Sequence, residues 1–204
     1  MTDYITSANF KTRHGITVTT HDTRIAAHVT AASLEVDSMC GRQFGPGASA
    51  TRYFHPYSCY GVRVDDCHTI TAVALDLDDS GSYATTLDAT DYVTLPTNGI
   101  GPNGQSGWPV TEIRLVSSRY QLPQFVRPSV KVTATYGWAS TPVDVVEATY
   151  LLAHRLFYEV AVPSGVTAPN LDIGLPGSPL QRPYTVERLL QPYVRSEKKI
   201  GVAG

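Results

Sequence analysis

The sequence contains only three cysteines, Cys40, Cys59 and Cys67, an odd number without CxxC spacing. That excludes a disulfide framework or a cysteine-based zinc site and leaves reduced thiols as the expectation. No apolar run approaches the roughly 20 residues a membrane span requires, so no membrane partner is expected. The first ten residues, MTDYITSANF, lack the basic-then-apolar plan of a secretion signal, which points to a chain made and folded in a cytoplasm. Acidic and basic residues nearly balance. A net charge of −2 gives no reason to expect nucleic-acid wrapping, which needs a clustered positive surface. With 204 residues, 42% of them hydrophobic, the chain can bury a core in one domain, or in one domain with an insertion.

Working catalytic motifs are missing as well. Gly99-Ile-Gly101-Pro-Asn-Gly104 fits GxGxxG, but pyrophosphate binding needs a helix N-terminus after it, and Pro102 and Pro109 argue for a loop. Residues 76–81 resemble the start of a calcium loop, yet its closing position holds Leu87 where a bidentate Glu is required, so a hairpin turn is expected. His14, His21 and His28 recur every seven residues, but Gly15 breaks the first from the others and ligands on one helix face sit three or four apart. Their spacing reads as coincidence. Cys67 and His68, neighbours near a strand end, point to opposite faces and cannot readily share a proton. Ser106 lies in no GxSxG elbow, and there is no HExxH. No catalytic residue, metal or cofactor is expected.

What is present is helix at both ends and β in the middle. Thr6 or Ser7 caps a short helix to Arg13, stopped by Gly15. A second helix runs from Asp22 to Cys40, with Gly41 as its end. At about 100° per residue, Ile25, Val29, Ala32, Val36, Met39 and Cys40 form one stripe, while Ala27, Ala31 and Leu34 leave a small second face. From 51 to 138, β-prone segments at 51–55, 61–65, 70–77, 91–95, 111–116 and 130–136 alternate with turn clusters. Residues 96–109 and 163–183 are rich in Pro and Gly and read as mobile loops. From 143 to 162 a broad apolar arc, including Val145, Leu152, Leu156 and Val160, predicts the central helix. Leu151 interrupts its polar stripe of Asp144, Glu147, His154, Arg155 and Tyr158. A short last helix covers 185–191, and the tail after Arg195 is basic. Between Arg63 and Arg114 there is no Lys or Arg but eight Asp or Glu, whereas the C-terminal segment is basic. Such polarity suits a head-to-tail contact between copies.

Taken in order, several segments resemble the head–tail connector proteins of tailed bacteriophages. They are the helix end Val36-Asp37-Ser38-Met39-Cys40-Gly41-Arg42-Gln43-Phe44, Thr51-Arg52-Tyr53-Phe54, and the hairpin at 76–83. Asp91-Tyr92-Val93-Thr94-Leu95-Pro96, the strand into Tyr136-Gly137-Trp138, and Leu151-Leu152-Ala153-His154-Arg155-Leu156-Phe157 follow. The resemblance implies an α+β fold: a helical bundle from the N- and C-terminal segments with an inserted antiparallel β-rich region. The expected single connector domain, 1–204, divides into a helical segment at 1–44, the insertion 45–140, the central helix 141–162, and an arm, short helix and basic tail 163–204. It also implies a non-enzymatic virion protein, assembled in the host cytoplasm as a ring of about twelve copies in the neck. Such a ring meets the portal protein on one side and a stopper or tail-completion protein on the other, and DNA passes through it without sequence preference. Leu151, Glu147, Arg155 and Leu34 are the candidate subunit-boundary residues; Arg188, Arg195, Lys198 and Lys199 form the candidate docking tail. Another neck or tail component, such as a stopper or tail terminator, which would be mainly β without the central helix, is one alternative. A carbohydrate-binding or hydrolytic virion module, which would display aromatic platforms, is the other.

Overall fold

The structure is a computed structural model, and it describes residues 3–102, 104–116, 119–159 and 184–195. The chain is mixed α and β, with an antiparallel sheet, and divides into two compact units. The described residues up to Phe44 and from Thr141 make one, and Gly45–Ser140 make the other.

The first unit is helical. α1, Ser7–His14, starts where the Thr6 hydroxyl accepts the Asn9 N–H at 3.1 Å, and stops at Gly15, whose φ of 66° closes the last turn. α2, Asp22–Cys40, ends the same way at Gly41, with φ 67°. Its buried stripe is Ile25, Val29, Ala32, Ser33, Val36 and Cys40. Met39, expected on that stripe, is only half-buried. Ahead of α1, Tyr4 donates its hydroxyl to the Asp37 carboxylate and accepts the Phe44 N–H, tying the N-terminal segment to α2.

α3, Val143–Glu159, packs against α2 and buries Val145, Ala148, Thr149, Leu152, Ala153 and Phe157. Leu156, expected in the core, is half-buried, and Val160 lies outside the described residues. Thr149 escapes the usual penalty for a buried hydroxyl by donating to the Val145 carbonyl at 2.8 Å. α4, Tyr184–Leu190, packs on α3 and α2 through Val186 and Leu190. Pro192 does not end the structure there: a 3₁₀ turn, Gln191–Tyr193, buries Tyr193 edge-on to Phe44 at 5.6 Å, with its hydroxyl 3.1 Å from the Asp144 carboxylate. The helix expected to reach 162 and the arm at 163–183 otherwise fall outside the described residues.

The second unit is a sheet. Its strands are β1 (Pro46–Phe54), β2 (Pro56–Ser58), β3 (Gly61–Leu75), β4 (Thr85–Thr86), β5 (Tyr92–Leu95), β6 (Val110–Leu115) and β7 (Val130–Gly137). The antiparallel order is β1-β7-β3-β6-β5, and β2 and β4 each pair with β3. Strict alternation in β7 buries Val130, Val132, Ala134 and Tyr136 while their neighbours stay half-buried.

The two strands expected at 61–65 and 70–77 are one 15-residue strand. The Asp65-Asp66 pair between them has the composition of a turn. Instead Asp65 pairs with Arg52 at 2.7 Å, and buried Asp66 accepts the Trp138 indole N–H at 3.3 Å. Register shifts between Cys67 and Thr69 and between Ile70 and Ala72 absorb the irregularity without breaking the strand.

Candidate assembly interface

The boundary residues fall on two helices. Glu147, Leu151 and Arg155, spaced by four, share one face of α3. Leu151 is half-buried, so part of an apolar side chain remains open among polar neighbours. Glu147 is engaged: both its oxygens accept from the Arg13 guanidinium, at 2.6 and 2.7 Å. Leu34 stands on the side of α2 opposite Ile25, 39% exposed, beside the exposed Ala27 and Ala31. The structure therefore groups three of the four and leaves Leu34 on a separate face.

In the expected docking tail, Arg188 is exposed on α4. Arg195 is half-buried, and its backbone N–H donates to the Cys40 carbonyl at 3.0 Å, so the chain there is tied to the end of α2. Lys198 and Lys199 lie outside the described residues.

The acidic stretch of the sheet unit is spent differently from the head-to-tail expectation. Asp76 is buried and its carboxylate accepts the N–H groups of Asp78, Ser80 and Gly81, the last at 2.8 Å. Asp91, also buried, accepts the Asp88 N–H. With Asp65 and Asp66 engaged as above and Glu112 2.5 Å from Arg114, most of these carboxylates stabilise their own unit. Exposed acid remains at Asp78, Asp79 and Asp88. The same contacts settle the calcium-like string as a hairpin turn, and Leu87 packs in the sheet core.

The other motif-like strings are placed with equal clarity. The glycine-rich string is followed by β6 rather than a helix. Its loop is closed by hydrogen bonds from Gly101 N–H to Gln105 O at 2.8 Å and from Trp108 N–H to Gly99 O at 2.9 Å. Gly101 lies against the buried Trp108 indole, where any side chain would collide with the ring. Trp108 in turn packs edge-on to Trp138 at 4.9 Å. Trp108 thus gives this loop a packed anchor. Cys67 is buried while His68 is exposed, and burial with the nearby Asp66 and Asp65 pushes the Cys67 thiol up to about 12, far from a working nucleophile. Among the described residues no three His, Cys, Asp or Glu side chains are placed to hold a metal ion.

Two surfaces are not legible in the sequence pattern. On the sheet unit the Tyr57 ring lies over Gly61 and its hydroxyl donates to Glu112 at 2.5 Å, with Arg63 beyond the ring. Tyr57 and Tyr60, each 48% exposed, form a held aromatic surface flanked by arginines, a composition common at protein contacts. The only sequence signal is the placement of Tyr57 and Tyr60 just ahead of a strand start at Gly61. On the helical unit the three histidines whose spacing reads as coincidence come together. His14 stacks on His154 at 4.6 Å, and His21 and His28 approach the Phe157 ring at 6.0 and 6.3 Å. The seven-residue spacing is its trace in the sequence, because seven residues are nearly two helical turns.

Neither a family model nor a curated protein sequence matches the chain. Solved structures do. A chain in the neck of an empty gene transfer agent (GTA) particle, computed with C6 symmetry, aligns over 94% of this chain and 89% of its own, with TM-score 0.53 and 17% identity. A chain in the neck of the native particle, computed with C12 symmetry, aligns over 92% and 86%, with TM-score 0.52 and 17% identity. The fold is that of a particle-neck chain. The likeness takes in most of the chain, helices and sheet together, so it belongs to the architecture as a whole and not to a shared motif.

Proposed function

We propose that this chain is a structural, non-enzymatic component of the neck of a tailed phage or phage-like particle, an adaptor that forms a ring below the portal. The observation that carries the reading is the near whole-chain likeness to the two GTA neck chains. The C6 and C12 symmetry with which those necks were computed supports a closed homo-oligomer of about twelve copies. In this reading the terminal segments make a helical bundle, supported by the packing of α2 on α3 and of α4 on both. The sheet unit is its insertion. Glu147, Leu151 and Arg155 lie at the subunit boundary, with Leu34 at a second contact. Arg188, Arg195, Lys198 and Lys199 meet the portal or a stopper or tail-completion protein, and DNA passes through the centre without sequence recognition. The protein assembles in the host cytoplasm and ends in the virion neck.

The alternatives fare less well. A stopper or tail terminator of mainly β fold would lack α3. A carbohydrate-binding module would display its tryptophans, whereas Trp108 and Trp138 are buried against each other.

Deleting the chain from a particle-producing strain tests the adaptor role. The expected lysate contains heads and separate tails that join when the purified protein is added. Complete, infectious or transferring particles without the chain would overturn it.

A further inference from the structure

The histidine cluster has no role in the proposed ring contacts, and its geometry describes a device. α1 is only eight residues long and is held to α3 at three points. Phe10, buried, meets Phe157 edge-on at 5.9 Å; Arg13 pairs with Glu147 and lies 4.5 Å over the Tyr150 ring; and His14 stacks on His154. Behind this contact, His28 of α2 faces Phe157, with Arg24 of α2 4.5 Å over the same ring. Among the described residues the Nε2 atoms of His14 and His28 and the Nε of Arg24 are buried without a hydrogen-bond partner. A neutral imidazole tolerates that position; an imidazolium, whose two N–H groups both require acceptors, does not.

We propose that the contact of α1 with α3 is an acid-released latch, closed while His14, His28 and His154 are neutral and opened when they take up protons. The charged groups around it favour opening. From α1 come Lys11 and Arg13, from α2 Asp22 and Arg24, and from α3 Glu147, with Arg155 following His154 and the rings of Tyr150 and Tyr158 alongside. Among the described side chains the two acids of this set are already taken, Glu147 by Arg13 and Asp22 by Lys11 at 2.5 Å. New positive charge on His14 and His154, 4.6 Å apart, therefore meets its twin and arginine rather than an acid.

The direction of the titration agrees. Burial, then His154 and Arg13, holds His14 below the ordinary 6.5; burial, then Arg24, does the same for His28, and burial for His154. The released state binds protons more readily than the latched one. The latch is therefore fully closed above the ordinary histidine value and loosens progressively as pH falls below it. Opening uncovers Phe10 and the Glu147–His154 side of α3, next to Leu151. A segment held by few contacts is the one expected to open first.

Hydrogen exchange of the full-length protein at pH 7.5 and 5.5, corrected for intrinsic rates, reads this directly. Amides of α1 should lose protection by up to about tenfold for each histidine whose burial is relieved, while β3 and β7 keep theirs. A His14→Gln/His154→Gln variant should lose most of that pH step, and His14→Gln alone should reduce it if the double variant is unstable. Equal α1 protection at both pH values, or an undiminished step in the variants, would overturn the latch. So would a loss of protection spread evenly over both units. None of these results bears on whether the chain forms a ring.

Discussion

Leu152 and Leu156 are one turn apart on α3, yet Leu152 is 1% exposed and Leu156 is half-buried. Leu152→Ala should destabilise the helical unit by about 2–5 kcal/mol, because its neighbours close only part of the cavity. Leu156→Ala should cost clearly less, and urea unfolding of the two variants checks the order. Periodicity assigns both residues to the apolar arc. Which of them is covered depends on where the partner helix passes, and no sequence pattern encodes that. The same limit explains the carboxylates of the sheet unit. Their density is visible in the sequence, but not that Asp66 reaches an indole 72 positions away or that Asp76 caps its own turn. Thiol chemistry offers a second check at this scale. Cys59 is exposed while Cys40 and Cys67 are buried, so brief maleimide treatment of the native protein should give one adduct by mass spectrometry. Three adducts without denaturant would contradict the burial of the other two.

The helices are the most legible elements because their ends are written in local chemistry: Thr6 before α1, Gly15 after it, Gly41 after α2. Strand existence is nearly as clear, since β-branched alternation is local too. Continuity is not. β3 reads as two strands, 61–65 and 70–77, and the long-range partners Arg52 and Trp138 are what make Asp65 and Asp66 acceptable within one strand. At 96–109 composition shows glycine and proline but not their use: Gly101 is the residue that lets Trp108 lie against the backbone. Gly101→Val should dislodge that ring, red-shift the tryptophan emission and destabilise the sheet unit by about 1–3 kcal/mol. Unchanged emission and melting temperature would remove Trp108 as the anchor of the loop.

At the scale of the whole molecule, the α+β character and the resemblance to neck proteins are readable because long segments keep their order. The surfaces through which copies would meet are far less so, since an interface is defined by what another molecule covers. Leu151 is the position where the two scales join. If it is a small apolar anchor within a polar rim, Leu151→Asp should leave the melting temperature within about a degree or two of the parent while weakening assembly at least tenfold, because the carboxylate must be desolvated without a partner. Unaltered assembly of that variant would move the boundary elsewhere. The central claim, that this chain is one subunit of a closed ring, is tested most directly by light-scattering mass across a concentration series, paired with negative-stain images of the same samples. The account predicts a plateau at a fixed multiple of 22.1 kDa and round particles with a central opening and sixfold or twelvefold symmetry. A 22.1 kDa monomer at every concentration, or open filaments of indefinite length, would contradict it.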